Sequence, residues 1–368
     1  MDAGNIRCIH AEGSGCYGHN SADDVAFDAA MLARSCNGRP VRVQLMRDDE
    51  FGWEPFGSAM VMKLSGSLDE QGNVVDWQHE LWSHPHNARP GSPDGVNLLG
   101  AWLLAKPAKA PYPNDPPQPS GGSDRNSIPL YDFPNQKITK HYLPEMPIRT
   151  SALRTLGGYS NVFALESFID ELAAAAGADP VAFRLKHLKD PRARAVIELV
   201  AERAGWIPGT KGDGERGRGF AFAKYKNLAC YCAIVIDIEV NRKTGGLKLS
   251  RAVAAVDAGL IVNPDGLRNQ IEGGIIQSSS WTLLESVQHD RTRIATRSWA
   301  DYPILRFEDI PPVQVHLIDR PDERSLGVGE GSQGPTAAAI ANALANTTGK
   351  RIRALPFTPQ KVLASLKT

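Results

Sequence analysis

One carboxylate in this 368-residue chain lies in a loop dominated by glycine. Glu330 stands between Gly329 and Gly331, and Gly327 precedes it by three positions. An alanine-rich run follows, which predicts a helix over 335–348. Glycine allows a bulky ligand to approach the main chain closely, a carboxylate held there can act as a general base, and the helix N-terminus would stabilise negative charge. Glu330 is therefore the candidate base, and the simpler interpretation is that it only marks the start of a helix.

A second glycine motif lies near the start of the chain. Residues 13–18 have the G-x-G-x-x-G spacing of dinucleotide-binding turns, between a predicted strand at 6–11 and a predicted helix at 21–35. The acidic residues at 48–50 come late for a ribose contact, and the cysteine and tyrosine of the motif are bulky for a turn that contacts a pyrophosphate. An NAD-dependent oxidoreductase is therefore only an alternative, and contact with another large cofactor is favoured. The candidate contacts in this turn are Gly15, Cys16, Tyr17 and Gly18.

Three further segments, 154–159, 270–280 and 327–332, also combine glycines with polar side chains at the ends of predicted elements. Such loops could converge on a polar, phosphate-bearing cofactor through their backbone N–H groups. A glycine pair inside the helix predicted over 264–286 costs about 1 kcal/mol per glycine relative to alanine, which favours something packed against that backbone. The candidate contacts in these segments are Gly157, Gln270, Gly273, Gly274, Gln277, Ser278, Gly327 and Gly329.

Composition excludes several classes of function. The 41 basic residues balance the 41 acidic ones, so no global field would attract nucleic acid. No apolar run approaches the roughly 20 residues of a membrane span. The five cysteines are odd in number and irregularly spaced, which argues against a disulfide framework and against zinc, and no protein-ligated metal is predicted. The start of the chain has no secretory signal, which favours the cytoplasm, while export with a signal-bearing partner leaves the periplasm open.

The remaining pattern predicts an α+β fold with two mixed α/β subdomains, at 1–145 and 146–368. Seven prolines make 106–129 a long surface loop or a joint between subdomains. Strands are predicted at 6–11, 41–46, 59–68, 74–83, 230–241, 247–256 and 313–318. Further helices are predicted at 162–176, 180–188, 191–204 and from 359 onwards.

Five segments together carry a specific pattern: 13–20, 42–50, 152–158, 262–274 and 327–330. On these segments the chain resembles the C-terminal half of the molybdopterin-binding large subunit of the xanthine dehydrogenase and aldehyde oxidase family. The resemblance is strongest to the bacterial branch that includes isoquinoline 1-oxidoreductase and nicotinate dehydrogenase. It implies a molybdenum hydroxylase that acts on an N-heterocyclic aromatic or an aldehyde, with water as the oxygen source. It also implies a molybdopterin cofactor, expected as the cytosine dinucleotide, with Glu330 as catalytic base and Arg154 either binding substrate or holding its own loop.

Two departures from the family pattern bear on partners. The family's glycine-glutamine-glycine motif is not in the sequence, which implies that half of the large subunit is absent or belongs to a separate N-terminal-half chain. No iron–sulfur cysteine pattern is present, which implies a separate [2Fe–2S] small subunit and an electron acceptor such as a cytochrome c or a flavin. The alternative is a non-catalytic scaffold, or an incomplete half-subunit that binds no cofactor alone.

Overall fold

The computed structural model describes residues 2–91, 95–110, 115–143 and 145–367. Within these residues the chain forms nine α-helices and seven β-strands. The helices are α1 (Ala22–Ser35), α2 (Arg47–Trp53), α3 (Leu99–Trp102), α4 (Gly158–Ala175), α5 (Pro180–Lys186), α6 (Pro191–Ala204), α7 (Pro264–Leu283), α8 (Gln333–Thr348) and α9 (Pro359–Leu366). The strands are β1 (Met60–Leu68), β2 (Val74–Ser83), β3 (Asn135–Tyr142), β4 (Arg216–Lys224), β5 (Tyr231–Val240), β6 (Leu247–Asp257) and β7 (Val313–Ile318). Among these helices none combines the length and apolar composition that crossing a membrane requires.

The strands form two sheets. In the first, β1 and β2 are antiparallel and β3 lies parallel to β2. In the second, β4, β5 and β6 are antiparallel neighbours and β7 lies parallel to β6. The prediction of an α+β fold is confirmed. The boundary between residues 145 and 146 stays a prediction, and one hydrophobic cluster contains residues from both sides of it, including Trp77 and Ile169.

The second sheet is covered by helices on both faces, and β5 explains how. Ile234 and Ile236 pack in one cluster with residues of α7 and α8, whereas Val235 packs in the other with residues of α6. Side chains alternate between the faces of a strand, so a strand buried on both faces needs a continuous apolar run. Residues 230–236 provide that run, and all seven are buried.

Helix α8 lies directly on β4 because the strand has glycines where it meets the helix. The helix is rich in alanine, and most of its residues are buried. At Gly219 on β4, an added Cβ would collide with the carbonyl oxygen of Ala339 and the backbone nitrogen of Ala343. This close packing fixes where α8 begins, and therefore where the glutamate loop before it lies.

Several elements differ from the sequence predictions. The predicted strands at 6–11 and 41–46 are wrong: both segments lack regular secondary structure and pair with no strand in the part of the chain that is described. Residues 47–53 form α2, although the resemblance associated 42–50 with a strand. Strands β3 and β4 are not among the predictions. For β4 its two glycines explain the omission, since glycine is depleted in strands.

The proline-rich segment 106–129 is only partly at the surface. Residues 121–127 are all buried, so the surface-loop interpretation is wrong for this stretch, whereas 111–114 lie outside the described residues. The buried stretch packs against the start of α4, because the N–H of Gly157 donates to the carbonyl of Gly122 at 3.1 Å.

Candidate active site

The loop between β4 and β5 carries the first part of the site. A 3₁₀ turn at Tyr225–Asn227 follows β4, and Lys226 has φ of 58°. Asn126, which lies in the buried stretch 121–127, stabilises this turn with two hydrogen bonds. Its Oδ1 accepts from the N–H of Lys226 at 2.9 Å, and its Nδ2 donates to the carbonyl of Lys224 at 2.8 Å. The side chain of Tyr225 is thereby held in a buried position, with 5% of its surface exposed.

Arg125 fixes the hydroxyl of Tyr225. Its Nε donates to the carbonyl of Ser120 at 2.8 Å and its Nη2 to that of Gly121 at 2.9 Å. The remaining nitrogen, Nη1, donates to the Tyr225 hydroxyl oxygen at 2.6 Å. Because that oxygen already accepts from a guanidinium, its own proton is free to point at another acceptor.

That acceptor is Glu330. Its Oε2 accepts from the Tyr225 hydroxyl at 2.8 Å, and its Oε1 accepts from the backbone N–H of Thr155 at 2.7 Å. Burial, and next the Glu330 carboxylate itself, raise the pKa of Tyr225 well above its usual range, so the phenol keeps its proton. A carboxylate offers about four acceptor positions, so each oxygen retains a lone pair after these two bonds. The carboxylate is oriented and can still receive a proton.

The amide of Thr155 reaches Glu330 because its backbone is strained. Thr155 has φ of 85° and Leu156 has φ of 52°. A β-branched residue at positive φ is a true outlier, and such conformations cost on the order of 1–3 kcal/mol each. Strain of this kind persists only where the surroundings impose it, and it clusters at functional sites.

Arg154 joins three of the predicted segments. Its Nε donates to the carbonyl of Gly329 at 2.6 Å and its Nη1 to Oε1 of Gln277 at 3.1 Å. Its Nη2 donates to the carbonyl and to Oε1 of Gln270, at 3.2 and 3.1 Å. The guanidinium also lies 5.6 Å from the ring centroid of Tyr17. Burial lowers the pKa of Arg154, and its donors are engaged within the chain.

Gln333, at the start of α8, completes this arrangement. With its amide oxygen directed at Arg154, that oxygen accepts from Nη1 at 3.3 Å while the amide nitrogen donates to the carbonyl of Glu330 at 3.1 Å. Gln333 is fully buried. The glutamate loop is therefore held through its backbone as well as through its carboxylate.

Several predicted cofactor contacts are explained by packing within the chain. A Cβ at Gly18 would collide with the carbonyl oxygen of Ala152, one at Gly157 with that of Ser123, and one at Gly274 with Oγ of Ser332. Ser278 also turns inward, and its hydroxyl donates to the carbonyl of Gln333 at 2.7 Å. These residues place loops and helices against one another, so their contact with a cofactor stays a prediction.

Other predicted contacts face open space. A Cβ at Gly273 or Gly327 would meet no atom within 4 Å, and one at Gly329 would meet Oε1 of Gln270 at 3.7 Å. All three glycines are exposed. Tyr17 is 53% exposed, and its neighbours Gly15 and Cys16 are exposed as well. This bare backbone and these exposed residues leave room for a large polar group beside Glu330.

The structure thus gathers Glu330, Arg154, Gln270, Gln277 and Tyr17 in one place. It also brings residues to the site that were not predicted from the sequence. Only their position in the chain, between two strands or beside a predicted motif, could have indicated them. The added residues are Arg125, Asn126, Thr155, Tyr225, Lys226 and Gln333.

Comparison with known proteins identifies a domain family and several relatives. Residues 159–311 match the family described as the molybdopterin cofactor-binding domain. The chain is 42% identical to a nicotinate dehydrogenase subunit of Pseudomonas putida over 378 aligned residues, which cover 99% of this chain and 30% of that protein. It is 31% identical to the beta subunit of isoquinoline 1-oxidoreductase of Brevundimonas diminuta, over 96% of this chain and 42% of that protein.

Residues 159–311 therefore form a molybdopterin cofactor-binding domain. Solved structures show the same fold. The aldehyde oxidoreductase of Desulfovibrio desulfuricans superposes with a TM-score of 0.74 at 14% identity, over 96% of this chain and 54% of that chain. Quinoline 2-oxidoreductase of Pseudomonas putida 86 superposes with a TM-score of 0.70 at 14% identity, over 92% of this chain and 65% of that chain. The prediction of a molybdenum-cofactor-binding fold is confirmed.

Two further findings concern cofactors. The chain spans less than half the length of both curated relatives named above. The nicotinamide interpretation of 13–18 required a strand before the glycine turn, and 6–11 forms none, so the strand–turn–helix arrangement of a dinucleotide site is missing there. Within the described ranges, no group of three or more histidines, cysteines, aspartates or glutamates is placed to hold a metal ion.

Proposed function

We propose that this chain supplies the general base and one wall of the cofactor site in a molybdenum hydroxylase. The observation that carries the proposal is the Glu330 carboxylate, oriented by Tyr225 and Thr155 beside exposed glycine backbone. The substrate class is an N-heterocyclic aromatic or an aldehyde. Nicotinate and isoquinoline, for which two relatives are named, support the heterocyclic class.

The residues present fit a molybdopterin cofactor. Gly273, Gly327 and Gly329 offer exposed backbone, and Gln270 lies beside them with its side chain near the surface. We propose the cytosine dinucleotide form, whose polar and phosphate groups such backbone could bind. When bound, the cofactor supplies the two-electron oxidation of substrate with water as the source of oxygen.

The chain's own contribution is proton transfer and positioning. Glu330 accepts the proton that is released as oxygen is transferred, on a lone pair that neither Tyr225 nor Thr155 occupies. Tyr225 keeps the carboxylate aimed, because its hydroxyl is itself held by Arg125. Arg154 positions the loop before α8, since its guanidinium is bonded to Gly329, Gln270 and Gln277.

We propose further that the cofactor site is completed by segments that this sequence does not contain. The support is that its curated relatives are more than twice as long and that Gly273 and Gly327 face open space. The remaining partners would be an N-terminal-half molybdopterin-binding chain or segment, a [2Fe–2S] small subunit, and a cytochrome c or flavin acceptor. The chain alone is expected to hold little molybdenum, and the assembled enzyme about one cofactor per chain.

The decisive experiment is Glu330→Gln in the assembled enzyme, with molybdenum content and turnover measured on the same preparation. A positioned general base contributes about 10²–10⁴-fold, so turnover should fall at least a hundredfold while molybdenum content stays near wild type. Glu323→Gln is the matched control, because that carboxylate lies in a nearby loop with 52% of its side chain exposed and should leave turnover unchanged. A Glu330→Gln enzyme with full cofactor and more than about a tenth of wild-type turnover would remove Glu330 from the mechanism.

A further inference from the structure

Lys226 is a cation beside the candidate base that the mechanism above does not use. Its Nζ lies 5.2 Å from the ring centroid of Tyr225, the residue whose hydroxyl donates to Glu330. In the part of the chain that is described, its ammonium forms no salt bridge. The neighbouring Lys224 differs, because its Nζ lies 4.0 Å from Oδ2 of Asp190. The ammonium of Lys226 is therefore available to a ligand.

The backbone of Lys226 is held in a conformation that lysine rarely adopts. Its φ of 58° is in the left-handed region, which costs roughly 1–2 kcal/mol for a residue with a Cβ. Asn126, 6% exposed, imposes it by accepting from the Lys226 N–H and donating to the Lys224 carbonyl. An outlier that a buried side chain imposes beside a candidate active site points to a functional role for the residue.

The charges around Lys226 define what it can bind. Arg125 is the other cation on the Tyr225 ring, with its guanidinium carbon 5.5 Å from the centroid, but its nitrogens are engaged with Ser120, Gly121 and Tyr225. Burial, and next the charge of Arg125, lower the pKa of Lys226, whereas the nearby Glu330 carboxylate favours its charged form. An anion that approached Glu330 unaided would be repelled by the carboxylate, and Lys226 offsets that repulsion from the adjacent position.

We propose that Lys226 binds the carboxylate of an anionic substrate, and that the substrate class of this site is therefore a heteroaromatic carboxylate. This inference rests on the proposed function. With the substrate carboxylate at Lys226, the aromatic ring extends past Tyr225 and presents a ring carbon towards Glu330. A neutral heterocycle or a simple aldehyde has no group for the ammonium and gains nothing from this contact.

The test compares two probes that share a ring and differ in charge, pyridine-3-carboxylate and pyridine-3-carboxamide. Their dissociation constants are measured by calorimetry on the assembled enzyme that carries Glu330→Gln, so that bound probe is not turned over. In that background Lys226→Met should weaken binding of the carboxylate at least tenfold, which corresponds to 1.4 kcal/mol. Binding of the carboxamide should change less than threefold, and Lys226→Arg should retain carboxylate binding within about fivefold.

Two controls keep the outcome interpretable. Lys224→Met removes a neighbouring ammonium that is already paired with Asp190, and it should leave both dissociation constants unchanged. Lys226→Asn is a second neutral variant, because asparagine tolerates the left-handed conformation, and it should reproduce the loss seen with methionine.

Three results would overturn the inference. Equal weakening for both probes would show that Lys226 only shapes the site. Loss of molybdenum from Lys226→Met and Lys226→Asn would show that the ammonium binds a cofactor phosphate instead. An enzyme with intact Lys226 that turns over an aldehyde or isoquinoline but does not bind pyridine-3-carboxylate would refute the substrate class and leave the proposed function standing, whereas the Glu330→Gln turnover measurement tests that function separately.

Discussion

The hydroxyl of Tyr225 donates a hydrogen bond to Oε2 of Glu330 across 2.8 Å, although the two residues are 105 positions apart. The same hydroxyl accepts from Nη1 of Arg125 at 2.6 Å. Since burial and the carboxylate both raise the pKa of Tyr225, the direction of each hydrogen bond is defined. The chain of donors runs from Arg125 through Tyr225 to Glu330, and it orients the carboxylate without occupying all of its acceptor positions.

Removal of that hydroxyl should therefore slow turnover and leave substrate binding intact. Hydrogen bonds to charged groups contribute about 1.5–3 kcal/mol, so Tyr225→Phe in the assembled enzyme should lower kcat about tenfold or more. KM for the substrate and molybdenum content should stay within about twofold of wild type. Tyr231→Phe is the matched control, because Tyr231 is equally buried and donates to Asp190 instead. A parallel rise in KM and loss of cofactor would indicate that Tyr225 only supports the fold.

Arg154→Lys should weaken cofactor binding more than it slows the catalytic step. Lysine keeps the charge but cannot reproduce the guanidinium fork, which bonds Gly329, Gln270 and Gln277 together. The assembled variant should lose molybdenum, while kcat per bound molybdenum stays within about threefold. Arg251→Lys, on a guanidinium that bonds backbone carbonyls elsewhere, should keep full molybdenum content. A variant with full cofactor and a KM raised tenfold would instead support direct substrate binding by Arg154.

Alanine substitutions at the two adjacent glycines of α7 should change the stability of the chain in opposite directions. Gly274→Ala should destabilise the chain by about 1–3 kcal/mol, because its Cβ would collide with Oγ of Ser332. Gly273→Ala should stabilise it by up to about 1 kcal/mol, since its Cβ meets open space and alanine favours a helix. Thermal unfolding of the chain measures both effects.

The same pair also tests where the cofactor lies. If Gly273 faces the cofactor, Gly273→Ala should lower the molybdenum content of the assembled enzyme even though the chain itself is more stable. Unchanged molybdenum content in Gly273→Ala would place the cofactor away from this part of α7.

Glu54, at the end of α2, should make stability depend on pH. Burial, and next the repulsion from Glu50, raise its pKa to about 7 from 4.5. A carboxyl whose pKa is higher in the folded state destabilises the fold once it must ionise, so stability is lost as pH rises from about 4.5 through about 7. Glu54→Gln should therefore raise the free energy of unfolding at pH 8 by up to about 3 kcal/mol and have little effect at pH 4.

Denaturant titrations of the chain at the two pH values measure this difference. Glu70→Gln is the control, because Glu70 is exposed in the turn between β1 and β2, and it should change stability equally little at both. An equal gain from Glu54→Gln at pH 4 and pH 8 would show that the effect is not one of ionisation.

Helix starts were predictable from the sequence because they depend on neighbouring residues. The helices predicted at 180–188 and 191–204 follow Asp179 and Asp190, and aspartate is a preferred residue at the N-cap of a helix. In the structure each aspartate accepts from backbone N–H groups of the first turn. Asn263 and Thr358 cap their helices in the same way. An N-cap side chain reaches only two or three residues along the chain, so the sequence contains the whole interaction.

Strand predictions were right only where a partner strand is present, whether that partner is adjacent or distant. The strand predicted at 313–318 is β7, which pairs with β6 although the two are far apart in the chain. The β5–β6 pair lies across a short turn and matches its prediction closely. The apolar pattern at 6–11 and 41–46 indicated strands, but no strand in the described ranges pairs with either segment. A β-strand forms only when a partner strand pairs with its backbone N–H and C=O groups. An apolar pattern in the sequence does not indicate whether such a partner is present.

The sequence by itself determined that Glu330 lies in a glycine-rich loop, and it predicted the helix that follows. It also predicted that the segments of Arg154 and Gln270 could converge on one cofactor, and it indicated which family the chain resembles. Only the tertiary structure decided what orients Glu330. Tyr225 and Thr155 come to it from 105 and 175 positions away in the chain, and Gly274 proved to pack against Ser332. Contacts at such separations arise from the packing of helices on sheets, which leaves no local spacing or periodicity in the sequence to reveal them.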